Sequence, residues 1–441
     1  MQGIDTYQGR GLIADPIHRY ILYTRPDGIP GESTEQDLID SPWMQRLRRV
    51  PQLQSARWVY PAAEHSRFQH SLGAMHLAGR FAQQLHPSLK AEFPDAPSAA
   101  LLEELLRMAG LLHDVGHGPF GHFFDDNFLA DFGLSHEKVG QRIIREELGD
   151  VLRALTRSPS GPFEPGEAID PAWICYLMGK SFSLPEAAHP RWLAHLKPLL
   201  SGIYTADNMD YVLRDSYMCG VAVGPIDVDR IIYYSFCSDK GLTLDRGGIQ
   251  AFVMFLNARF YMYTNVYYHR TTRGIDLHLT EWTLLEEVAR WPEAEDAERR
   301  ALGLEWRRVL ERRLKWRMSH EVVLDIFEPR RGQGFMKAED LEVLVREYLP
   351  PALRAFPFKI DMAQQDPRPL NPIGMRDRQI YVYDSAARSV SAEPLKELLK
   401  YLPGKVAQCR IFAATHEHDQ HLAAALERAL TEERPAHPTN L

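Results

Sequence analysis

The chain has 441 residues, of which 45% are apolar and 25% are charged, and these are ordinary values for a globular protein. No run of about 18 apolar residues occurs, which excludes a membrane-spanning helix, and the start lacks a signal-peptide core, so we expect a cytoplasmic protein without a membrane partner. The formal net charge of −8 argues against broad nonspecific binding of nucleic acid, although a local basic groove could still bind it.

The predicted elements divide the chain into three parts. Residues 1–35 look irregular, with an early D-P-I-H turn and a loop rich in Gly and Pro. Residues 36–320 follow a helical pattern that ends in an exposed, charged helical hairpin over 284–319, and residues 321–441 are predicted to form a small α+β lobe. The fold class is therefore mainly α. The lobe has predicted strands at 356–362, 379–384 and 407–414 and predicted helices at 338–348, 392–402 and 417–430.

The most informative segment is A-G-L-L-H-D-V-G-H-G-P-F-G-H, residues 109–122. His113 and Asp114 end a strongly apolar helix, where burying both groups costs several kcal/mol unless something pairs with them. A lone His–Asp pair could be an ordinary core hydrogen bond. Because His117 and His122 follow within ten residues, separated by glycines that leave room for a ligand, the segment predicts a metal site.

Further ligands must come from elsewhere in the chain. His70 lies on a helical pattern three residues after Arg67, so the two side chains share a face and could serve metal and phosphate together. Asp207, Tyr211 and Asp215 are spaced i, i+4 and i+8, which places them on one stripe of one helix. Such a stripe is, taken alone, more commonly a solvated acidic face.

The motifs follow one another in an order that resembles a known family. D-P-I-H at 15–18, D-S-P-W-M-Q-R-L-R at 40–48, H-S-R-F-Q-H-S-L-G at 65–73, H-D-V-G-H-G-P-F-G-H at 113–122 and D-N-M-D-Y-V-L-R-D at 207–215 occur in sequence. This series resembles the HD phosphohydrolase superfamily and, within it, the catalytic core of the dNTP triphosphohydrolases of the SAM-and-HD-domain type. The resemblance spans about residues 10–275 and implies that the helical part is an HD catalytic domain, with the SAM domain absent.

The resemblance also implies a reaction. One transition metal, namely Fe, Mn, Zn, Ni or Co, would activate a water that attacks the α-phosphorus of a dNTP, releasing the deoxynucleoside and triphosphate, with Mg as a further candidate ion on the phosphates. His122 with Asp125 would handle protons, and His136 would protonate the departing 5′ oxygen. The implied metal ligands are His70, His113, Asp114 and Asp207, and the groups available to neutralise phosphate charge are Arg67, His117, His122 and Arg259.

Some of these residues have plainer interpretations. Asp125 could cap or solvate a helix end, His136 could be an ordinary residue near a helix start, and Arg259 could stack on neighbouring rings.

Substrate selection is carried over in the same way. The residues implied to contact the sugar are Gln52, Leu53, Tyr211 and Asp215, and Tyr267 would cover the base. Asn208 stands where animal relatives have a phosphate-binding lysine, which leaves more phosphate charge uncompensated. Two alternatives therefore stay open: a phosphohydrolase acting on nucleoside monophosphates or single-stranded nucleic acid, and a regulatory scaffold that binds nucleotides or nucleic acid.

The last expectation concerns assembly. The activator pocket of the animal relatives is matched at Asp40, Gln45 and Arg48, but its lysine and asparagine are replaced by Gly11 and Ala14. We therefore expect a monomer or dimer rather than a nucleotide-induced tetramer. The three matched residues would then be an ordinary helix cap and surface pair.

Overall fold

This computed structural model describes most of the chain. The described residues are 9–179, 182, 190–202, 204–279, 291–293, 295–310, 315–324, 337–365, 380–385, 387–392 and 406–431. All but the first residue of the helix predicted at 392–402 lies outside this set, and so do parts of the hairpin predicted at 284–319.

The described part of the chain is mainly α-helical, which confirms the predicted fold class. No helix in that part is long and apolar enough to cross a bilayer. The helices are α1 (Glu35–Ile39), α2 (Pro42–Gln45), α3 (Arg67–Glu92), α4 (Ala99–Leu112), α5 (His122–Asn127), α6 (His136–Glu146), α7 (Gly149–Arg153), α8 (Pro171–Met178), α9 (Arg191–Ser201), α10 (Ala206–Cys219), α11 (Val228–Tyr233), α12 (Ile249–Met262), α13 (Arg270–Leu279), α14 (Ala297–Leu310), α15 (Ala338–Tyr348) and α16 (Asp419–Thr431).

Short strands form four sheets among the described residues. The strands are β1 (Arg10–Asp15), β2 (Arg19–Thr24), β3 (Arg157–Ser158), β4 (Gly161–Pro162), β5 (Ser235–Ser238), β6 (Gly241–Asp245), β7 (Arg317–Leu324), β8 (Phe358–Gln365), β9 (Tyr381–Asp384), β10 (Ser389–Ser391) and β11 (Val406–Ala413). β1 pairs with β2 and β3 with β4, and the larger sheets have the orders β10–β9–β6–β5 and β7–β11–β8. All pairs are antiparallel except β6 with β9.

The long helices α3 and α4 form the centre of the core and carry two predicted metal ligands. A capping box starts α3, since the Ser66 backbone amide donates to Gln69 Oε1 at 2.9 Å, and Ser98 caps α4. The two helices approach so closely that a Cβ on Gly110 would lie 2.7 Å from the Ala74 carbonyl oxygen. This packing fixes the last turn of α4 beside the first turns of α3.

The predicted irregular N-terminal segment is wrong for residues 10–24. These residues form the β1–β2 hairpin, in which Ile13 faces Ile21. The D-P-I-H turn itself is confirmed: Asp15 Oδ1 accepts hydrogen bonds from the backbone amides of Ile17 and His18, both at 2.9 Å, and so reverses the chain.

Two compact units divide the chain differently from the predicted boundary at residue 320. The first is drawn from residues 1–262 and 368–402, and the second from residues 263–367 and 403–441. Strand β9 pairs with β6 inside the first unit, so the predicted helical region also contains strands β3 to β6, and β7 begins before its end. Such long-range pairing leaves no local signal in the sequence.

The second unit has its own core. Helices α15 and α16 cover the β7–β11–β8 sheet, with α15 preceding β8 and α16 following β11. The buried apolar residues of this core include Leu341, Val345, Ile411, Leu422 and Leu426.

Candidate metal centre and active site

Three predicted metal ligands converge from three helices. His70 lies on α3, His113 directly follows α4, and Asp207 lies in the first turn of α10. His70 Nε2 lies 3.1 Å from His113 Nε2 and 3.0 Å from Asp207 Oδ1, and the three ligand atoms all lie within 4.8 Å of one another. Two imidazoles and a carboxylate in this arrangement could hold a divalent transition metal.

Each of the two imidazoles is oriented through its other nitrogen. His113 Nδ1 donates to the Gly110 carbonyl oxygen, and His70 Nδ1 donates to Asp210 Oδ2, each at 2.8 Å. Both Nε2 atoms therefore point into the cluster. Burial alone would lower the pKa of His70, but the Asp207 and Asp210 carboxylates raise it to about 10. The negative charge that stabilises a proton on this ring would equally favour a metal cation, which displaces that proton.

Asp114, the fourth predicted ligand, lies at the edge of this cluster. Its Oδ1 atom is 3.5 Å from His113 Nε2, and its Oδ2 atom is 4.0 Å from His70 Nε2. The same carboxylate pairs with Arg67 Nη1 at 2.6 Å and lies 3.3 Å from His117 Nε2. Burial would raise the pKa of Asp114, but His113 and Arg67 hold it well below its usual range. The aspartate is thus ionised and shared between the metal cluster and two phosphate-binding candidates.

A second cluster comprises His117, His122, Asp125 and His136, whose ligand atoms also lie within 4.8 Å of one another and could themselves hold a metal ion. The rings of His117 and His136 stack at a centroid distance of 3.8 Å. Asp125 Oδ2 accepts a hydrogen bond from His136 Nδ1, whereas His122 Nδ1 lies 3.7 Å away. The structure therefore brings the three predicted proton-handling residues together, with His136 as the closer partner of Asp125.

The second cluster is not simply a patch of positive charge, because the pKa values of His117 and Asp125 are both lowered. Burial and the nearby Arg67 guanidinium lower the pKa of His117 to about 3, so this ring is neutral at physiological pH. A neutral imidazole can still donate a hydrogen bond to phosphate, and the role of His117 toward phosphate stays a prediction. Burial opposes ionisation of Asp125, but hydrogen bonds with His122 and His136 lower its pKa below the ordinary value.

The loop between the clusters is held by its backbone. Arg46 donates to the carbonyl oxygens of Val115 and His117, which lie in the loop after α4. A Cβ on Gly116 would lie 2.0 Å from the His136 carbonyl oxygen, so only glycine lets this loop pack directly on the start of α6. This contact fixes how far His136 lies from the metal ligands.

Two of the predicted sugar-binding residues, Tyr211 and Asp215, lie on α10 and each contacts another side chain. Tyr211 accepts a hydrogen bond from Arg259 Nε at 2.9 Å, and Arg259 is buried rather than exposed among the aromatic residues around it. Asp215 is also buried, and its Oδ1 atom lies 2.7 Å from His65 Nε2. The pairing with His65 was not predicted, although this histidine stands in one of the motifs.

The other predicted substrate-binding residues are Gln52, Leu53, Asn208 and Tyr267. Leu53 is buried, and the Gln52 backbone amide donates to the His65 carbonyl oxygen at 3.0 Å. Asn208 is buried, and its backbone amide donates to Thr205 Oγ1, the N-cap of α10. Tyr267 belongs to the second unit, so its role over the base stays a prediction.

Two of the three residues matched to the activator pocket line a cavity of about 340 Å³. Asp40 and Arg48 line this cavity together with Ala14 of the hairpin, whereas Gln45 accepts a hydrogen bond from Arg48 Nε at 2.8 Å. The Arg48 guanidinium lies over the Phe68 ring at 3.8 Å from its centroid. The prediction of a plain helix cap and surface pair is therefore incomplete, because Asp40 and Arg48 line a cavity.

Sequence reasoning missed one group of buried charges next to the metal cluster. Asp210 contacts His18, His70 and Arg214, and Arg214 also pairs with Asp15 at 2.8 Å. The i, i+4 spacing of Asp210 and Arg214 was a usable signal for one of these pairs. The contact with His18 spans 192 positions and leaves none.

Two known families match this chain. Residues 67–172 match the HD domain, and residues 226–284 match the HD associated region. The first match contains His70, His113 and Asp114 and the whole second cluster, while Asp207 lies beyond it. The chain therefore contains an HD domain, which confirms the superfamily that its motifs indicate.

Individual relatives agree with this assignment. The uncharacterized protein YwfO of Bacillus subtilis is 33% identical over 272 residues, which make up 61% of this chain and 54% of that protein. The deoxynucleoside triphosphate triphosphohydrolase SAMHD1 homolog of Dictyostelium discoideum is 26% identical over 282 residues, 61% of this chain and 48% of that protein. The chain thus spans about half the length of the curated relatives it matches. The crystal structure of a hypothetical protein from Aquifex aeolicus has the same fold, with a TM-score of 0.65 and 24% identity over 96% of this chain and 100% of that one.

Proposed function

We propose that this chain is a metal-dependent phosphohydrolase that cleaves deoxynucleoside triphosphates into deoxynucleoside and inorganic triphosphate. The observation that carries the proposal is the position of Asp114 between the two clusters. Its carboxylate lies 3.5 Å from His113 of the metal cluster and 3.3 Å from His117 of the second cluster. A phosphate ester that reaches one cluster is therefore also within reach of the other.

The metal would be held by His70, His113 and Asp207, with Asp114 adjoining. An Fe, Mn, Zn, Ni or Co ion bound there would activate water and polarise a phosphoryl oxygen. Mg would accompany the remaining phosphates as a further candidate ion.

Two arginines supply the positive charge that phosphoryl transfer requires. Arg67 is 4% exposed and uses Nη1 on Asp114, while its Nε atom has no hydrogen-bond partner and can donate to a phosphate oxygen. Arg259 is aligned by Tyr211 through its Nε atom. Neutral His117 adds a hydrogen bond without adding charge.

The second cluster would deliver a proton to the leaving group. The Nδ1 atom of His136 is bound to Asp125, which fixes the ring and leaves Nε2 to protonate the departing 5′ oxygen. This arrangement parallels the general triad principle in which a carboxylate orients an imidazole. His122 is the more exposed partner of Asp125, with its side chain 65% exposed, and can exchange protons with solvent.

Contact of the sugar with the apolar side chain of Leu53 would favour deoxyribose over ribose. Leu53 offers no hydrogen-bond partner to a ribose 2′-hydroxyl, so a ribonucleotide would bury that hydroxyl without compensation. Tyr211 and Asp215 would hold the sugar from α10, with Asp215 oriented by His65.

One observation favours a second candidate substrate. Asn208 is uncharged and buried where the resemblance implies a lysine, so a full triphosphate would lack one counter-charge. A substrate with fewer phosphates, such as a nucleoside monophosphate or a nucleic-acid end, would need that charge less.

The test is product analysis by ion-exchange chromatography. The purified chain, analysed for metal, is incubated separately with each dNTP, with deoxynucleoside monophosphates and with single-stranded DNA. We expect deoxynucleoside and triphosphate in equal amounts from dNTPs. Pyrophosphate as the first product, or turnover of monophosphates or DNA alone, would contradict the proposal.

A further inference from the structure

The buried carboxylate of Asp210 collects four polar contacts beside the metal cluster. Its Oδ2 atom accepts from His70 Nδ1 at 2.8 Å and from Arg214 Nε at 2.9 Å. Its Oδ1 atom lies 2.6 Å from His18 Nε2 and accepts from Arg214 Nη2 at 2.9 Å. Asp210 is 0% exposed, so water does not compete for these bonds.

The surroundings are shaped to admit this carboxylate. A Cβ on Gly73 would lie 1.8 Å from Asp210 Oδ1, so the glycine of α3 leaves the space that the carboxylate occupies. Arg214 extends the contacts to the N-terminal hairpin, because its Nη1 atom donates to Asp15 Oδ2 at 2.8 Å. The hairpin turn and α10 thus hold Asp210 from two sides.

The contact with His70 has a consequence for metal binding. A hydrogen bond from Nδ1 to a carboxylate fixes the imidazole tautomer with its lone pair on Nε2, and it also fixes the ring plane. His70 Nε2 is the atom that approaches His113 and Asp207. Asp210 itself contacts the cluster only through His70 among the contacts described.

We propose that Asp210 is a positioning residue for the metal centre, acting through His70, and that the N-terminal hairpin holds it in place through His18. This inference rests on the proposed metal-dependent function. It gives the β1–β2 hairpin a role in the site, although the hairpin contains no predicted metal ligand.

The experiment measures metal binding directly, without turnover. Metal-free protein is titrated with Co²⁺, and the dissociation constant and the visible absorption bands of the bound cobalt are recorded for the wild type and for Asp210→Asn. The amide keeps an acceptor for His70 but loses the charge, so we expect binding about 10- to 100-fold weaker and shifted cobalt bands.

The matched control is Asp15→Asn. This variant removes a carboxylate of the same network and leaves the His70–Asp210 contact intact, so we expect a lower melting temperature but cobalt binding within about threefold of the wild type. A merely structural role for Asp210 predicts that both variants lower stability and that neither changes the cobalt spectrum.

The outcomes separate the two proposals. A wild-type chain that binds no metal at His70, His113 and Asp207 would contradict the proposed function itself. A wild type that binds cobalt, with Asp210→Asn binding it equally well and with the same spectrum, would overturn only the positioning role. If Asp210→Asn does not fold, His18→Gln loosens the same carboxylate from the hairpin side, and unchanged cobalt binding in that variant would also overturn it.

Discussion

At the scale of single residues, the site depends on groups whose charges compensate one another in a buried setting. Asp207 contributes a carboxylate whose side chain is 32% exposed, unlike the fully enclosed Asp210. Burial would raise the pKa of Asp207, but hydrogen bonds with His113 and His70 lower it below the ordinary value. A negative ligand is therefore available throughout the physiological pH range.

Replacement of Asp207 by alanine should remove the metal and nearly all hydrolysis while the fold survives. The N-cap of α10 is Thr205, which the change leaves in place, and the partly exposed carboxylate leaves only a small gap. Metal analysis, turnover and thermal unfolding of Asp207→Ala check this together. The control is Asp229→Ala, which removes a surface carboxylate paired with Arg80 and should change none of the three. An Asp207→Ala protein with full metal content and turnover would rule out the assigned ligand.

His76 should make the protein less stable in mild acid. Burial, then His18, Arg107 and Arg80, lower its pKa to about 3, against a weaker opposing effect of Asp15. The unfolded chain therefore binds a proton at His76 between about pH 6.5 and 3 that the folded chain does not, so the free energy of unfolding falls as the pH drops through that window.

The measurement is the melting temperature of wild type and His76→Gln between pH 7.5 and pH 5. We expect the wild type to lose more stability than the variant as the pH falls. Parallel curves for His76→Gln and wild type would contradict the assignment.

At the scale of elements, the site is an arrangement of helix ends. The loop after α4 carries His113 and His117, and it packs directly on the start of α6, where His136 lies. The start of α6 thus determines the distance between His136, the proposed proton donor, and the predicted metal ligands. Small shifts at this contact should therefore affect catalysis more than metal binding.

Replacing Gly116 by alanine tests this contact. The new Cβ would lie 2.0 Å from the His136 carbonyl oxygen and 2.4 Å from the Gly140 amide nitrogen, and both are backbone atoms that cannot rotate away. A displacement of about 1 Å at a catalytic group can reduce the rate about 100-fold. We expect Gly116→Ala to lower kcat by about that factor and to keep its metal.

Gly140→Ala is the control for this change. It lies across the same contact, but its Cβ would approach the Gly116 nitrogen only to 3.4 Å, which is ordinary contact distance. We expect kcat close to the wild-type value in Gly140→Ala. Unchanged turnover in Gly116→Ala would show that the spacing of loop and helix does not limit the reaction.

At the scale of the whole molecule, local sequence patterns predicted more of the candidate site than of the strand pairing and the division into units. The H…HD…D spacing predicted a cluster that does converge, because each ligand lies at a fixed place on a helix that the apolar period defines. The β1–β2 hairpin was missed because strands of only six residues give a weak alternation of apolar and polar side chains. The pairing of β6 with β9, and of Asp210 with His18, joins segments more than 130 positions apart, so no window of sequence contains both partners.

The charge around the cavity by the hairpin bears on assembly. Asp40 contributes one negative charge to its described lining and Arg48 one positive charge, while Asp15 lies there already paired with Arg214. The described lining thus offers a polyphosphate no surplus of positive charge, and each missing charge-assisted hydrogen bond costs roughly 1.5–3 kcal/mol. Ala14, where the resemblance would require a polar partner, supplies neither charge nor hydrogen bond.

We therefore predict that GTP or a dNTP does not drive this chain into a tetramer and that its basal hydrolysis needs no activating nucleotide. Sedimentation velocity with and without excess GTP and dNTP, run beside turnover assays under the same conditions, checks both parts. Arg48→Ala removes the one cation of the described lining. If the cavity binds no nucleotide, as we predict, this variant leaves both the sedimentation coefficient and the rate unchanged. A nucleotide-induced tetramer with a matching rise in rate, lost in Arg48→Ala, would show instead that the cavity binds an activator despite having no surplus of positive charge.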